Sequence, residues 1–120
     1  MSPDPTQKPA PGACMPRLAV DPEAMRSHAD DAAGLLKALA NSSRLMVLCS
    51  LAKGELTVGQ INERIPLSQS ALSQHLAVLR RDGLVHTRRA AQTVYYRLAD
   101  GPAERIIETL YEIFCGPASR

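Results

Sequence analysis

The stretch Leu67-Ser-Gln-Ser-Ala-Leu-Ser-Gln-His-Leu-Ala-Val-Leu-Arg-Arg-Asp-Gly-Leu-Val85 spaces leucines at 72, 76 and 79. At about 100° per residue they share one side of a helix, and Ser70, Gln74, Ala77 and Arg81 share the other. The pattern predicts a helix over Ser68–Asp82 with Gly83 as its stop. Its outward face, flanked by Gln69, Ser73 and Arg80, is small or hydrogen-bonding. A helix of that kind fits a DNA major groove about 12 Å wide.

Working outward, Thr57 and Gln60 are spaced as a capping box and open a short helix, Val58–Arg64, which Pro66 ends. Beyond Gly83 the period changes from helical to alternating over Leu84–Arg89 and again over Thr93–Leu98, with Ala-Ala-Gln between them. That predicts a hairpin. A short helix, a tight turn, a longer helix and a hairpin make a winged helix-turn-helix.

Asp21-Pro22-Glu23 predicts a helix running to about Ala40, and Asn41 caps a second over Ser42–Leu51, closed by Lys53-Gly54. Asp100 ahead of Pro102 and Glu104 opens a last helix, with an apolar stripe of Ile106, Ile107, Leu110, Ile113 and Phe114. The fold class is mostly α with a small β-hairpin, in the order α-α-α-α-β-β-α. Residues 1–20 hold five of the nine prolines and read as a disordered tail; 21–116 form the domain and 117–120 a short C-terminal tail.

A chain of 120 residues that is 45% hydrophobic has room for one packed domain. No run is long and apolar enough for a membrane span or a signal peptide, which predicts a cytoplasmic protein without a membrane partner. Three cysteines with no CxxC pair and no Cys/His cluster predict free thiols, no metal site and no cofactor. The net charge is only +2, but residues 68–97 carry five Arg against one Asp. Positive charge so concentrated is expected of a nucleic-acid face.

Within that face, Gln69 and Gln74 suit adenine, Ser70 and Ser73 suit bases or phosphate, and Arg81, with Arg80 beside it, suits guanine or phosphate. His75 lies nearer the leucine side and reads first as a packing residue, with base contact the minor role. Arg88 and Arg89 precede the hairpin tip, where long cations reach a flanking minor groove or its phosphates. The plainer alternative is a polar, solvated surface.

Three blocks carry a family resemblance: Leu36-Lys-Ala-Leu-Ala-Asn-Ser-Ser-Arg-Leu45, the stretch Leu67–Val85, and Val94-Tyr-Tyr-Arg-Leu98. Over about residues 30–115 the chain resembles the ArsR/SmtB family of winged-helix repressors. The resemblance implies a homodimer held by the first and last helices, an inverted-repeat operator in double-stranded DNA, and release by an inducer. The two recognition helices of such a dimer lie about 34–36 Å apart, one DNA turn. The metal-sensing members use cysteines beside the third helix or His and acidic pairs on the last; Gly54–Ile65 has no Cys and Ala103–Cys115 has no His.

The cysteines instead resemble those of the sulfide- and persulfide-responsive branch, the BigR and SqrR type, with one Cys in the second helix and one near the end of the last. Cys49, in Leu-Cys-Ser-Leu, and Cys115, in Ile-Phe-Cys, match both positions. The resemblance implies that reactive sulfur species such as glutathione persulfide join the two thiols through a polysulfide bridge. DNA is then released and sulfide oxidation or detoxification genes are derepressed. Arg44 or Lys53 would lower a thiol pKa if placed beside one. Cys14 lies in the tail and has at most a minor resolving role.

Other readings stay open. Free Cys is often buried, and Cys49 between Leu48 and Leu51 could simply fill core. The same fold could act as a general disulfide switch, as a metal sensor with further ligands, or through protein contacts alone. A thiol enzyme is the remote alternative, because such sites want Cys at a helix N-terminus or beside a base.

Overall fold

The computed structural model describes residues 18–116. Cys14, most of the 1–20 tail and the 117–120 tail lie outside the described residues. The elements, in chain order, are α1 (Pro22–Arg26), α2 (Ala29–Leu39), α3 (Ser42–Ser50), β1 (Leu56–Thr57), α4 (Val58–Arg64), α5 (Gln69–Arg81), β2 (Val85–Ala90), β3 (Thr93–Leu98) and α6 (Pro102–Cys115). Contacts divide the chain between Asp31 and Ala32. The winged helix-turn-helix expected from the sequence is present in the second part.

The expected single helix from residue 21 to about 40 is two helices. Asp21 caps the first, accepting from the Glu23 N–H at 3.0 Å, and Pro22 occupies its opening turn. The break follows at Ser27-His28, where the Ser27 hydroxyl donates back to the Ala24 carbonyl and the His28 N–H bonds the Met25 carbonyl three residues back. A side chain competing for a carbonyl and a tightened turn together end a helix that buries no residue.

From Ala32 onward a single apolar core joins Leu48 and Leu51 with Ile61, the Leu72/Leu76/Leu79 stripe of α5, Leu84 and Val85 of the wing, and Ile107 of α6. Asn41 caps α3, its side chain accepting from the Arg44 N–H at 3.0 Å. The Thr57/Gln60 capping box forms in both directions, at 2.9 and 3.2 Å. Between α4 and α5 the Asn62 amide donates to the Leu67 carbonyl at 2.8 Å and reaches the Ile65 carbonyl at 3.4 Å. That side chain staples the turn that sets the angle of the recognition helix.

Ser68 caps α5 through the Ala71 N–H at 3.1 Å, and Gly83 takes the positive φ of +76° that ends it. Asp100 caps nothing: residue 101 is the N-cap of α6, a glycine at φ +125°, without a side-chain cap bond. The hairpin pairs Val85 with Leu98 through to Ala90 with Thr93, leaving Ala91-Gln92 as the tip. A third strand joins it, Leu56 pairing with Tyr96 and Thr57 with Tyr95, so the sheet order is β1-β3-β2. Two residues are too few for a period-2 signal, which is why the sequence reading missed β1.

Candidate DNA interface and cysteine pair

The helix α5 turns Gln69, Ser70, Ser73, Gln74, Ala77, Arg80 and Arg81 outward, all exposed, while Leu72, Leu76 and Leu79 anchor its other side. The side chains of Gln69, Ser73, Gln74 and Arg80 have no hydrogen-bond or ion-pair partner among the described residues. Ser70 lies 3.5 Å from the Ser68 hydroxyl, and Arg81 Nε is 3.2 Å from Asp82 Oδ1. That exposed pair is easily exchanged for a phosphate. The donors and acceptors of the face are therefore free for base edges and backbone oxygens. His75 is half-buried, off that face.

The wing divides the two arginines. Arg89 is exposed beside the tip and opposite Val94, without an internal partner. Arg88 is engaged: its Nε donates to both oxygens of Glu55, at 2.9 and 2.8 Å, and its guanidinium carbon lies 4.5 Å from the centre of the Tyr95 ring. The hydrogen bond from Arg88 holds the Glu55 carboxyl below the usual glutamate range, with Arg97 adding to it. Arg88 thus ties the wing to the residue before β1.

Tyr96 is a residue the sequence reading missed. With Ser73, Ala77, Arg80 and Arg81 it lines a cavity of about 410 Å³ between the recognition helix and the wing. Alternation over Thr93–Leu98 separates Tyr96 from Tyr95 by face, but which face meets α5 depends on tertiary packing.

Cys49 lies in the last turn of α3 and Cys115 is the last residue of α6; both are exposed free thiols. Cys49 is therefore not core filling. Its pKa is pushed up, chiefly because the thiol is partly desolvated and secondly by the negative charge Cys115 carries when ionised. Helices α3 and α6, which carry the two cysteines, pack against each other.

Neither cation suggested by the sequence activates it. Arg44 donates instead to the Ala38 carbonyl at 2.6 Å and the Lys37 carbonyl at 3.3 Å, closing the end of α2. Lys53 is not among the causes of the Cys49 shift. Among the described residues no three His, Cys, Asp or Glu side chains are grouped to hold a metal ion, and no helix is long and apolar enough to cross a membrane.

Comparison with known proteins agrees with the winged helix-turn-helix fold. Residues 41–87, from the cap of α3 into the wing, match the model of the bacterial regulatory protein, arsR family. The transcriptional activator HlyU of Vibrio cholerae is 53% identical over 91 residues, covering 76% of this chain and 84% of that protein. The biofilm growth-associated repressor of Agrobacterium fabrum is 50% identical over 94 residues, covering 78% and 80%. Among solved structures, the repressor BigR of Xylella fastidiosa superposes with a TM-score of 0.75 at 42% identity, over 80% of this chain and 98% of that one. With the helix-turn-helix, the wing and relatives matched over most of their lengths, the chain belongs to the arsR family of bacterial regulatory proteins.

Proposed function

We propose that the protein is a homodimeric repressor whose hold on an inverted-repeat operator is broken when reactive sulfur species link Cys49 to Cys115. The observation that carries this reading is a pair of free, exposed thiols on two helices that pack against each other. The similar proteins from Agrobacterium and Xylella are named repressors. An exposed apolar set supports the dimer: Ile113 and Phe114 on α6, at 61% and 79% exposure, with Leu36 on α2 and Met46 on α3.

The sulfur chemistry balances with a persulfide, RSSH, as oxidant. The Cys49 thiolate attacks its outer sulfur, the S–S bond of RSSH breaks, RS⁻ leaves, and Cys49 carries –S–SH. A second RSSH lengthens this to –S–S–SH in the same way, releasing another RS⁻. The Cys115 thiolate then attacks the middle sulfur and expels HS⁻, closing a trisulfide. The two thiols lose two electrons, and one sulfane sulfur is reduced to hydrosulfide. Added sulfur lengthens the reach beyond that of a plain disulfide.

A bridge between α3 and α6 acts on the dimer helix and hence on the spacing of the two recognition helices. If it disfavours the DNA-binding spacing by about 3 kcal/mol, operator affinity falls on the order of a hundredfold. The genes released would be those of sulfide oxidation or detoxification.

The test is the peptide mass of reduced protein after parallel exposure to glutathione persulfide, glutathione disulfide and hydrogen peroxide. A Cys49–Cys115 link with added sulfur from persulfide alone is expected. A bare disulfide from every oxidant would replace this reading with a general thiol switch.

A further inference from the structure

The wall of α3 that carries Cys49 also borders a cavity of about 750 Å³, which reaches α4 and α6. That is within the roughly 300–1,000 Å³ typical of small-molecule sites. Three cations line it, Lys53, Arg64 and Arg105, and so do two carboxylates, Glu104 and Glu108. None of these five side chains forms an ion pair or hydrogen bond within the described residues, although opposite charges share the same cavity. Buried Leu98 and the ring of Tyr111 add apolar surface.

We propose that this cavity docks a low-molecular-weight peptide persulfide, a zwitterion with two carboxylates and one ammonium, and holds its sulfane sulfur at Cys49. The inference rests on the sensor reading above and adds to it the site that holds the sulfur donor. The ligand's carboxylates meet Lys53, Arg64 and Arg105, and its ammonium meets Glu104 or Glu108, in charge-assisted contacts. Transfer is the first step written above: the donor's S–S bond breaks, its thiolate leaves into the cavity, and Cys49 keeps the outer sulfur.

The site also answers a kinetic difficulty. Partial burial pushes the Cys49 thiol up, which lowers its thiolate fraction and slows its attack on reagents met by chance. Holding the donor in place raises its effective concentration and restores the rate for that donor alone. Inorganic persulfide has no carboxylate or ammonium to be held.

The experiment follows Cys49 modification by mass against time in the full chain and in the double variant Arg64→Gln/Arg105→Gln, with glutathione persulfide and with inorganic hydrodisulfide. The variant should react about a hundredfold more slowly with the peptide donor, about tenfold for each of the two lost charge-assisted contacts, and at the parent rate with the inorganic one. Equal rates with the peptide donor, or equal slowing with both reagents, would overturn the docking site and leave the sensor reading standing.

A second measurement does not depend on sulfur transfer. S-Methylglutathione, which cannot react, should protect Cys49 from iodoacetamide in the parent and not in the variant. If no persulfide modifies Cys49, the sensor reading fails, and this arm alone decides docking: protection supports it and its absence overturns it.

Discussion

Arg88 on β2 holds Glu55, thirty-three residues earlier, with one nitrogen between both carboxylate oxygens at 2.9 and 2.8 Å. The contact pins the outer strand of the wing to the chain entering β1, across the central strand β3. Because Glu55 titrates low when paired, the contact is complete above the ordinary glutamate pKa and is lost as pH falls through the lowered folded value. Arg88→Ala should return the Glu55 titration, followed by side-chain NMR, to the ordinary glutamate range and speed amide exchange in Val85–Ala90. An unchanged titration would contradict the pairing.

Arg89 and Gln74 should fail in different ways. Arg89 offers an unpartnered cation near the tip, so Arg89→Ala should weaken all DNA sequences alike and lower the slope of log affinity against log salt by about 0.9, one phosphate contact. Gln74 faces outward from α5, so Gln74→Ala should cost about 1–3 kcal/mol on the operator alone and leave the salt slope unchanged. Titrations at several salt concentrations with operator and scrambled DNA separate the two.

Cys49 should respond to Cys115. Replacing Cys115 with Ser removes the smaller cause of the raised pKa and leaves the larger one, desolvation. The pH profile of Cys49 alkylation in Cys115→Ser should shift downward yet stay above that of a free thiol. A profile that does not move would mean the two sulfurs are electrostatically separate.

Asn62 is half-buried, and its amide satisfies the Leu67 carbonyl at 2.8 Å. Asn62→Ala should cost about 1–2 kcal/mol by leaving that carbonyl unpaired. For a domain of this size that lowers Tm by roughly 4–8 °C per kcal/mol. Operator affinity should also fall, because the turn orients α5. A thermal melt and a DNA titration of the same sample check both effects.

Most of the scaffold was legible because its signals are local. The leucine spacing in α5, the Thr57/Gln60 box, Asn41 ahead of α3 and the change of period at Gly83 each depend on residues a few positions apart. What the sequence hid depends on distant partners. Leu56-Thr57 becomes a strand only because Tyr95 and Tyr96 lie opposite. Arg88 looked like Arg89 until the register set Tyr95 under it and Glu55 beside it. Arg44 looked able to activate a thiol, but the free carbonyls ending α2 take its guanidinium. That Cys49 and Cys115 lie on helices that pack together was suggested only by resemblance, since sixty-six positions separate them in the chain.

Whether a Cys49–Cys115 link releases DNA is decided by operator affinity at fixed salt for one preparation, measured reduced, after persulfide treatment, and again after dithiothreitol, with the link checked by mass in each sample. A loss on the order of a hundredfold that the reductant restores is expected, with no loss in Cys115→Ser. Undiminished affinity in fully linked protein would contradict it.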